Sequence, residues 1–137
     1  MRSKLMKKTS STDYNRLVEK ISIGIKKIKG VQAVVLFGSY ARGEQKPISD
    51  IDICVLADRK ISSKTKAEIA SFSSRKIDIS IFWDLPASVR FQVMKEGKIL
   101  FSKSEEEFHI ARVQTVSEYL DFKHILDRNV SRVFGNE

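Results

Sequence analysis

Three short apolar runs constrain the fold of this chain more than any other feature. Residues 32–37, 51–56 and 76–82 are rich in β-branched and aromatic side chains, the composition of buried strands. The longest uninterrupted stretches, Val34-Val35-Leu36-Phe37 and Ile53-Cys54-Val55-Leu56, are far too short to cross a bilayer. The third run alternates Ile77, Ile79 and Ile81 with Asp78, Ser80 and Phe82, so it has one apolar face and one mixed face. Segments of helical periodicity separate these runs. Short buried strands alternating with helices predict an α/β domain: a small mixed β-sheet flanked by helices.

The helical segments carry their own start and stop signals. Tyr14, Leu17, Val18, Ile21, Ile25 and Ile28 recur at three- and four-residue steps and predict one packed face. Thr12 or Asp13 can cap that helix and Gly30 can end it. Residues 62–73 predict a second helix through Ala67, Ile69, Ala70 and Phe72. A third opens at Leu85, with Pro86 in a tolerated first-turn position, and stops at Gly97 before a short strand over 98–101. Ser104 followed by Glu105, Glu106 and Glu107 combines a cap with negative charge at the positive helix end. The long C-terminal helix this starts is expected over about 105–133. Its apolar residues, Phe108, Ala111, Val116, Tyr119, Leu120, Phe122, Leu126, Val130 and Val133, form a stripe wider than one packing face needs. Either the sheet buries that stripe or a partner does. Residues 1–10 lack apolar periodicity and predict a flexible basic tail, leaving 11–137 as one domain without internal repeats.

At 137 residues the chain is long enough to bury a real core. Its formal net charge of +8 points toward anions: nucleic acid, triphosphates or an acidic protein. Solvated lysines explain the same charge, which is dispersed, so charge alone does not choose a substrate. The basic start, Arg2, Lys4, Lys7 and Lys8, is not followed by an apolar signal core, and the expected location is the cytoplasm. The single cysteine, Cys54, lies inside an apolar run and reads as a small core residue in a reducing compartment. His109 and His124 are too far apart on one helix to share a metal and read as solvated. Trp83 and Phe82 read as core filling.

The chemistry concentrates between Gly38 and Ile53, in Gly-Ser-Tyr-Ala-Arg-Gly-Glu-Gln-Lys-Pro-Ile-Ser-Asp-Ile-Asp-Ile. Asp50 and Asp52 stand two apart at the start of a strand, so their carboxylates leave the same face while Ile51 and Ile53 point into the core. Adjacent carboxylates repel, and a shared proton or cation relieves that repulsion. Hard oxygen ligands suit Mg²⁺ or Mn²⁺, whose shell water and substrate phosphates complete. Asp78, on a strand between apolar neighbours, is the natural third ligand and the candidate base for an incoming hydroxyl. Gly38 and Ser39 sit where a strand gives way to a turn, where backbone amides and a hydroxyl can meet phosphate oxygens. The Gly-Lys-Ser/Thr ending of a Walker loop is absent. Taken singly, each of these is as well explained by an ordinary turn or a solvated edge residue. Their joint spacing carries the reading.

Gly38-Ser39, ten residues and then Asp50-Ile51-Asp52 closely resembles the signature of the DNA polymerase β-like nucleotidyltransferase superfamily. Within it, Gly38-Ser39-Tyr40-Ala41-Arg42-Gly43-Glu44 and Ser49-Asp50-Ile51-Asp52 look like the minimal nucleotidyltransferase branch, as do the Asp78 strand, Leu85-Pro86 and Glu96-Gly97-Lys98-Ile99-Leu100. The resemblance covers roughly residues 12–125.

It implies that Asp50, Asp52 and Asp78 form an acidic triad binding the metal, and that Gly38 and Ser39 contact the nucleotide phosphates. Arg42 matches a frequent family arginine, for which phosphate contact and pairing with Glu44 remain alternatives. The implied reaction moves a nucleoside monophosphate from a triphosphate, expected to be ATP, onto a hydroxyl. Minimal members resemble antitoxins that add AMP to a tyrosine of a HEPN-domain toxin. Two other expectations compete with that one: transfer to a small molecule such as an aminoglycoside or to an RNA end, and a non-catalytic toxin-binding module.

Overall fold

The computed structural model describes the backbone over residues 2–38 and 50–134, and side chains over 14–38, 50–130 and 132. The order of elements is α1 (Arg2–Lys26), β1 (Val31–Phe37), β2 (Ile51–Ala57), α2 (Ser63–Ala70), β3 (Ile77–Ile81), a 3-10 turn (Phe82–Asp84), α3 (Ala87–Glu96), β4 (Lys98–Ser102) and α4 (Glu105–Phe134). The strands form one sheet in the order β3-β2-β1-β4. The β1–β2 and β1–β4 pairs are antiparallel, whereas β2 and β3, joined through α2, run parallel. A parallel pair needs such a crossover because its connection must return to the starting end. The small mixed sheet expected from the sequence is therefore present.

Alternation along the strands divides the core into two layers. Val34, Leu36, Ile51, Ile53, Val55 and Ile77 pack toward Val18, Ile21, Ile25 and Ile28 of α1 and its exit turn, and toward Ile69 of α2. On the opposite face Ala33, Val35, Cys54 and Leu56 meet Phe82, Val93 and Met94, with Phe108 and Ala111 of α4. Ile25, Ile53 and Ile69 are completely buried, each contributing roughly 1.5–3 kcal/mol of hydrophobic stabilisation. Asp50 and Asp52 have the parity of Cys54 and Leu56, so the backbone directs them to the second face. Cys54 is buried, and burial alone pushes its thiol pKa well above the ordinary value.

Several boundaries differ from the sequence expectation. Helix α1 begins at Arg2, ahead of the start expected at Thr12 or Asp13. Residues 2–13 contain no glycine or proline, the two strongest helix breakers, so the helix of the packed part of α1 can extend through them. Leu17 is exposed although its spacing predicted a core position. In α2 the Ser62 hydroxyl accepts a hydrogen bond from the Thr65 amide at 3.1 Å, and the helix stops at Ala70 instead of Ser73. Trp83 is half-buried at the margin of the second layer, edge-on to Phe82 and covered by the Arg59 guanidinium 3.7 Å from its ring centre.

Helix α4 starts where Ser104 predicted, its hydroxyl accepting from the Glu107 amide at 3.2 Å. Thirty residues make it about 45 Å long, more than the sheet can cover. Phe108, Ala111 and Thr115 are buried, and Tyr119 stacks on Phe91 of α3 with ring centres 4.3 Å apart. Leu120, Phe122, Leu126 and Val130 are all exposed, so the domain covers only the first half of the expected stripe. The Val133 side chain lies outside the described residues. No helix among the described residues is long and apolar enough to cross a membrane.

Candidate active site

The end of the sheet where β1 finishes and β2 and β3 begin gathers the acidic residues. The parallel pairing of β2 with β3 sets Asp52 directly beside Asp78, and paired residues of adjacent strands share a face. Asp50 lies just ahead of β2, two residues from Asp52. On the other side, β1 places Phe37 opposite Asp52, so Gly38 arrives immediately next to that carboxylate. Gly38 has φ +80°, the left-handed conformation that glycine adopts without strain. A Cβ at this position would stand 2.5 Å from Asp52 Oδ2. Glycine is thus required twice here, by the turn and by the carboxylate beside it. The sequence suggested close backbone approach at Gly38; the structure identifies Asp52 as the group approached.

The electrostatics follow from this placement. The Asp52 carboxyl is held above the ordinary carboxylate value, first by partial burial and then by the negative charges of Asp78 and Asp50. Asp50 and Asp78 are exposed, whereas Asp52 is half-buried between strands. Among the described residues, no three His, Cys, Asp or Glu side chains stand close enough together to hold a metal ion as placed. Backbone register and side-chain placement therefore say different things about the triad. The paired strands keep Asp52 and Asp78 on one face whatever the rotation of their side chains. The donor set of Asp50, Asp52 and Asp78 consists of hard carboxylate oxygens, which suit a small divalent cation. Ser39 and Arg42 lie outside the described residues, as does the rest of 39–49.

Other residues considered in the sequence lie away from this end. His109 and His124 are both exposed on α4. Arg59 and Arg90, which the sequence did not single out, bind Glu118 at 3.5 and 3.2 Å where β2 ends and α3 begins. Dispersed single charges gave no periodic signal for that contact, which only the tertiary fold creates.

Residues 19–106 match the family model described as "Polymerase beta, Nucleotidyltransferase". The chain belongs to this family. The matched segment contains Gly38, Asp50, Asp52 and Asp78, so the geometry above lies within the part of the chain that defines the nucleotidyltransferase family. Protein adenylyltransferase MntA of Shewanella oneidensis is 30% identical over 109 residues, 77% of this chain and 76% of that protein. The chain spans less of another curated relative, from Methanocaldococcus jannaschii, covering 60% of its length at 36% identity. Among solved structures, a toxin–antitoxin complex crystallised with AMP-PNP contains a chain matched at TM-score 0.68 and 26% identity, over 84% of this chain and 97% of that one. A complex of tri-AMPylated Shewanella oneidensis HEPN toxin with MNT antitoxin matches at TM-score 0.63 and 25% identity, over 86% and 97% respectively.

Proposed function

We propose that this nucleotidyltransferase moves AMP from ATP to a tyrosine hydroxyl of a HEPN-domain toxin and so acts as its antitoxin. The observation that carries the reading is the side-by-side placement of Asp52 and Asp78, with Asp50 and Gly38 adjacent, at one end of the sheet. Similarity to a protein adenylyltransferase and to chains of solved toxin–antitoxin complexes supports the choice of donor and acceptor.

Mg²⁺ or Mn²⁺, held by Asp50, Asp52 and Asp78, would neutralise triphosphate charge and stabilise the departing pyrophosphate. The protein's part is positioning and proton handling. Gly38 leaves the turn open for phosphate oxygens, with Ser39 and Arg42 as the further phosphate contacts. The acceptor oxygen attacks the α-phosphorus, the bond to the bridging α–β oxygen breaks, and pyrophosphate leaves. Asp78, on the exposed side of the pair, takes the hydroxyl proton.

The test is intact-mass analysis of proteins co-expressed with this chain, a HEPN-domain protein among them, after incubation with the chain, Mg²⁺ and each of the four triphosphates. The expected result is a gain of one or more AMP units with ATP only, mapping to tyrosine and lost with Asp50→Asn/Asp52→Asn. Equal use of all four nucleotides would remove the adenylyl assignment. Neutralisation of the toxin by the double variant as fully as by the parent would reduce the chain to a binding module. Label appearing on RNA or an aminoglycoside instead would move the acceptor.

A further inference from the structure

Helix α3 stands between α4 and the acidic end of the sheet. It runs into Gly97, where a Cβ would meet Val35 Cγ1 and Leu36 O, so it finishes over the half of β1 nearest Gly38. Helix α4 crosses the opposite strand ends, where Ala111 and Gln114 line a cleft with Gln32, Leu56, Ala57 and Arg59. The contacts of α3 assign its circumference. Measured from Val93, which is buried against the sheet, and at about 100° per residue, Arg90, Met94 and Phe91 stand at about 60°, 100° and 160°. This side faces α4: Arg90 binds Glu118, Phe91 stacks on Tyr119, and Phe91 and Met94 line a groove with Arg112 and Val116. Val89, Glu96, Gln92 and Ser88 fall between about −40° and −140°, on the flank turned away from α4 and toward Asp50, Asp52 and Asp78.

Between that flank and the acids the surface is apolar. Phe37 pairs with Asp52, so the two leave the same face of the sheet, and Phe37 and Val89 are only partly buried against the second layer. Ser88, Gln92 and Glu96 are exposed beside them. Of these three, Gln92 alone carries a donor and an acceptor side by side at the end of its side chain.

The reaction proposed above leaves this strip for one part of the substrate. Gly38 receives phosphate oxygens and Asp78 the acceptor hydroxyl, and in an in-line transfer the nucleoside departs sideways from the line joining them. Among the described residues, α3 is the element that stands to that side on this face. A nucleobase matches the strip, with a flat face for carbon and hydrogen-bonding groups along its edge. The Gln amide fits adenine, whose N6 donates and whose N7 accepts. Guanine presents two acceptors there, O6 and N7, and leaves the Gln carbonyl without a donor.

We propose that Gln92 reads the base of the donor nucleotide, selecting adenine over guanine, with Phe37 and Val89 as the surface on which the base lies. This rests on the transfer reaction proposed above and names the residue that sets its donor.

Calorimetric binding of ATP and of GTP to the full chain in Mg²⁺ tests the assignment without any acceptor. The parent should bind ATP the more tightly. Gln92→Leu should narrow that preference by on the order of 10- to 100-fold, the range for one bidentate contact to a base. Gln92→Arg, whose guanidinium fits O6 and N7 of guanine, should turn the preference toward GTP. Gln, Leu and Arg are comparable helix formers and position 92 is exposed, so unfolding midpoints should stay at the parent value. Gln114→Leu, the same change on exposed α4 surface at the other end of the sheet, should leave both affinities unaltered. A Gln92→Leu variant with the parent's preference, or a Gln114→Leu variant that loses it equally, overturns the proposal and leaves the transfer reaction standing. A parent that binds the two nucleotides equally overturns it together with the choice of ATP, and one that binds neither ends the nucleotide reading as a whole.

Discussion

Replacing Gly38 with alanine separates the two demands placed on that residue. The φ of +80° puts any L side chain in the left-handed region, at a cost of about 1–2 kcal/mol. For a chain of this size that is a fall in Tm of roughly 4–8 °C. The new Cβ would also stand 2.5 Å from Asp52 Oδ2, and ordinary contact begins near 3.4 Å, so the carboxylate must retreat by 0.9 Å. A misplacement of about 1 Å at a reacting centre can cost on the order of 10²-fold in rate. Gly30 is the matched control. It also has a left-handed φ, +96°, but a Cβ there would first meet Ile61 Cγ2, at 3.3 Å and at the far end of β1. Gly30→Ala should therefore lose a similar few degrees of stability and keep its transfer rate. Thermal unfolding and pyrophosphate release measured on both variants decide the matter. If Gly38→Ala turns over like the parent, or Gly30→Ala loses rate to the same extent, the placement of Asp52 beside this turn has no catalytic consequence.

Asp52→Asn should abolish transfer yet stabilise the chain in EDTA. Because the folded-state carboxyl is raised above 3.8, the native state binds more protons than the unfolded one within that window. Stability of the parent should consequently fall as pH rises from about 3.8 through the raised value, and urea midpoints of parent and variant should converge at low pH. Cys54 should resist a thiol reagent in the native chain and react stoichiometrically in denaturant; fast native labelling would mean that the second core layer is open. Ser104→Ala should cost about 1 kcal/mol through loss of the α4 cap, read as a lower denaturation midpoint without change in activity.

Much of this architecture was legible because it depends on local pattern. The strand runs, the Ser104 start and the Asp-x-Asp parity each follow from neighbours in sequence. The start of α1 differs from the expectation because a lack of apolar periodicity does not stop a helix where no glycine or proline interrupts it. Leu17 satisfied the helical spacing yet lies at the edge of the buried arc, where one further step of rotation leads into solvent. The question left open for the α4 stripe, cover by the sheet or by a partner, turned on the length of α3 and the width of the sheet. Neither is encoded near residue 120. For the candidate site, Asp50 and Asp52 could be placed on one face from spacing alone, but the position of Asp78 rested on a strand pairing that no local signal specifies.

That pairing has a consequence for how the family can vary. Since β2 and β3 run side by side in the same direction, the third acid is located by hydrogen bonds between strands and not by the length of chain that joins them. The α2 segment can be lengthened, shortened or rebuilt without disturbing the reaction centre, so long as the ladder re-forms in the same alignment. A slip of a single position would do the reverse: it would leave every residue in place along the chain and turn Asp78 into the hydrocarbon layer beneath α1.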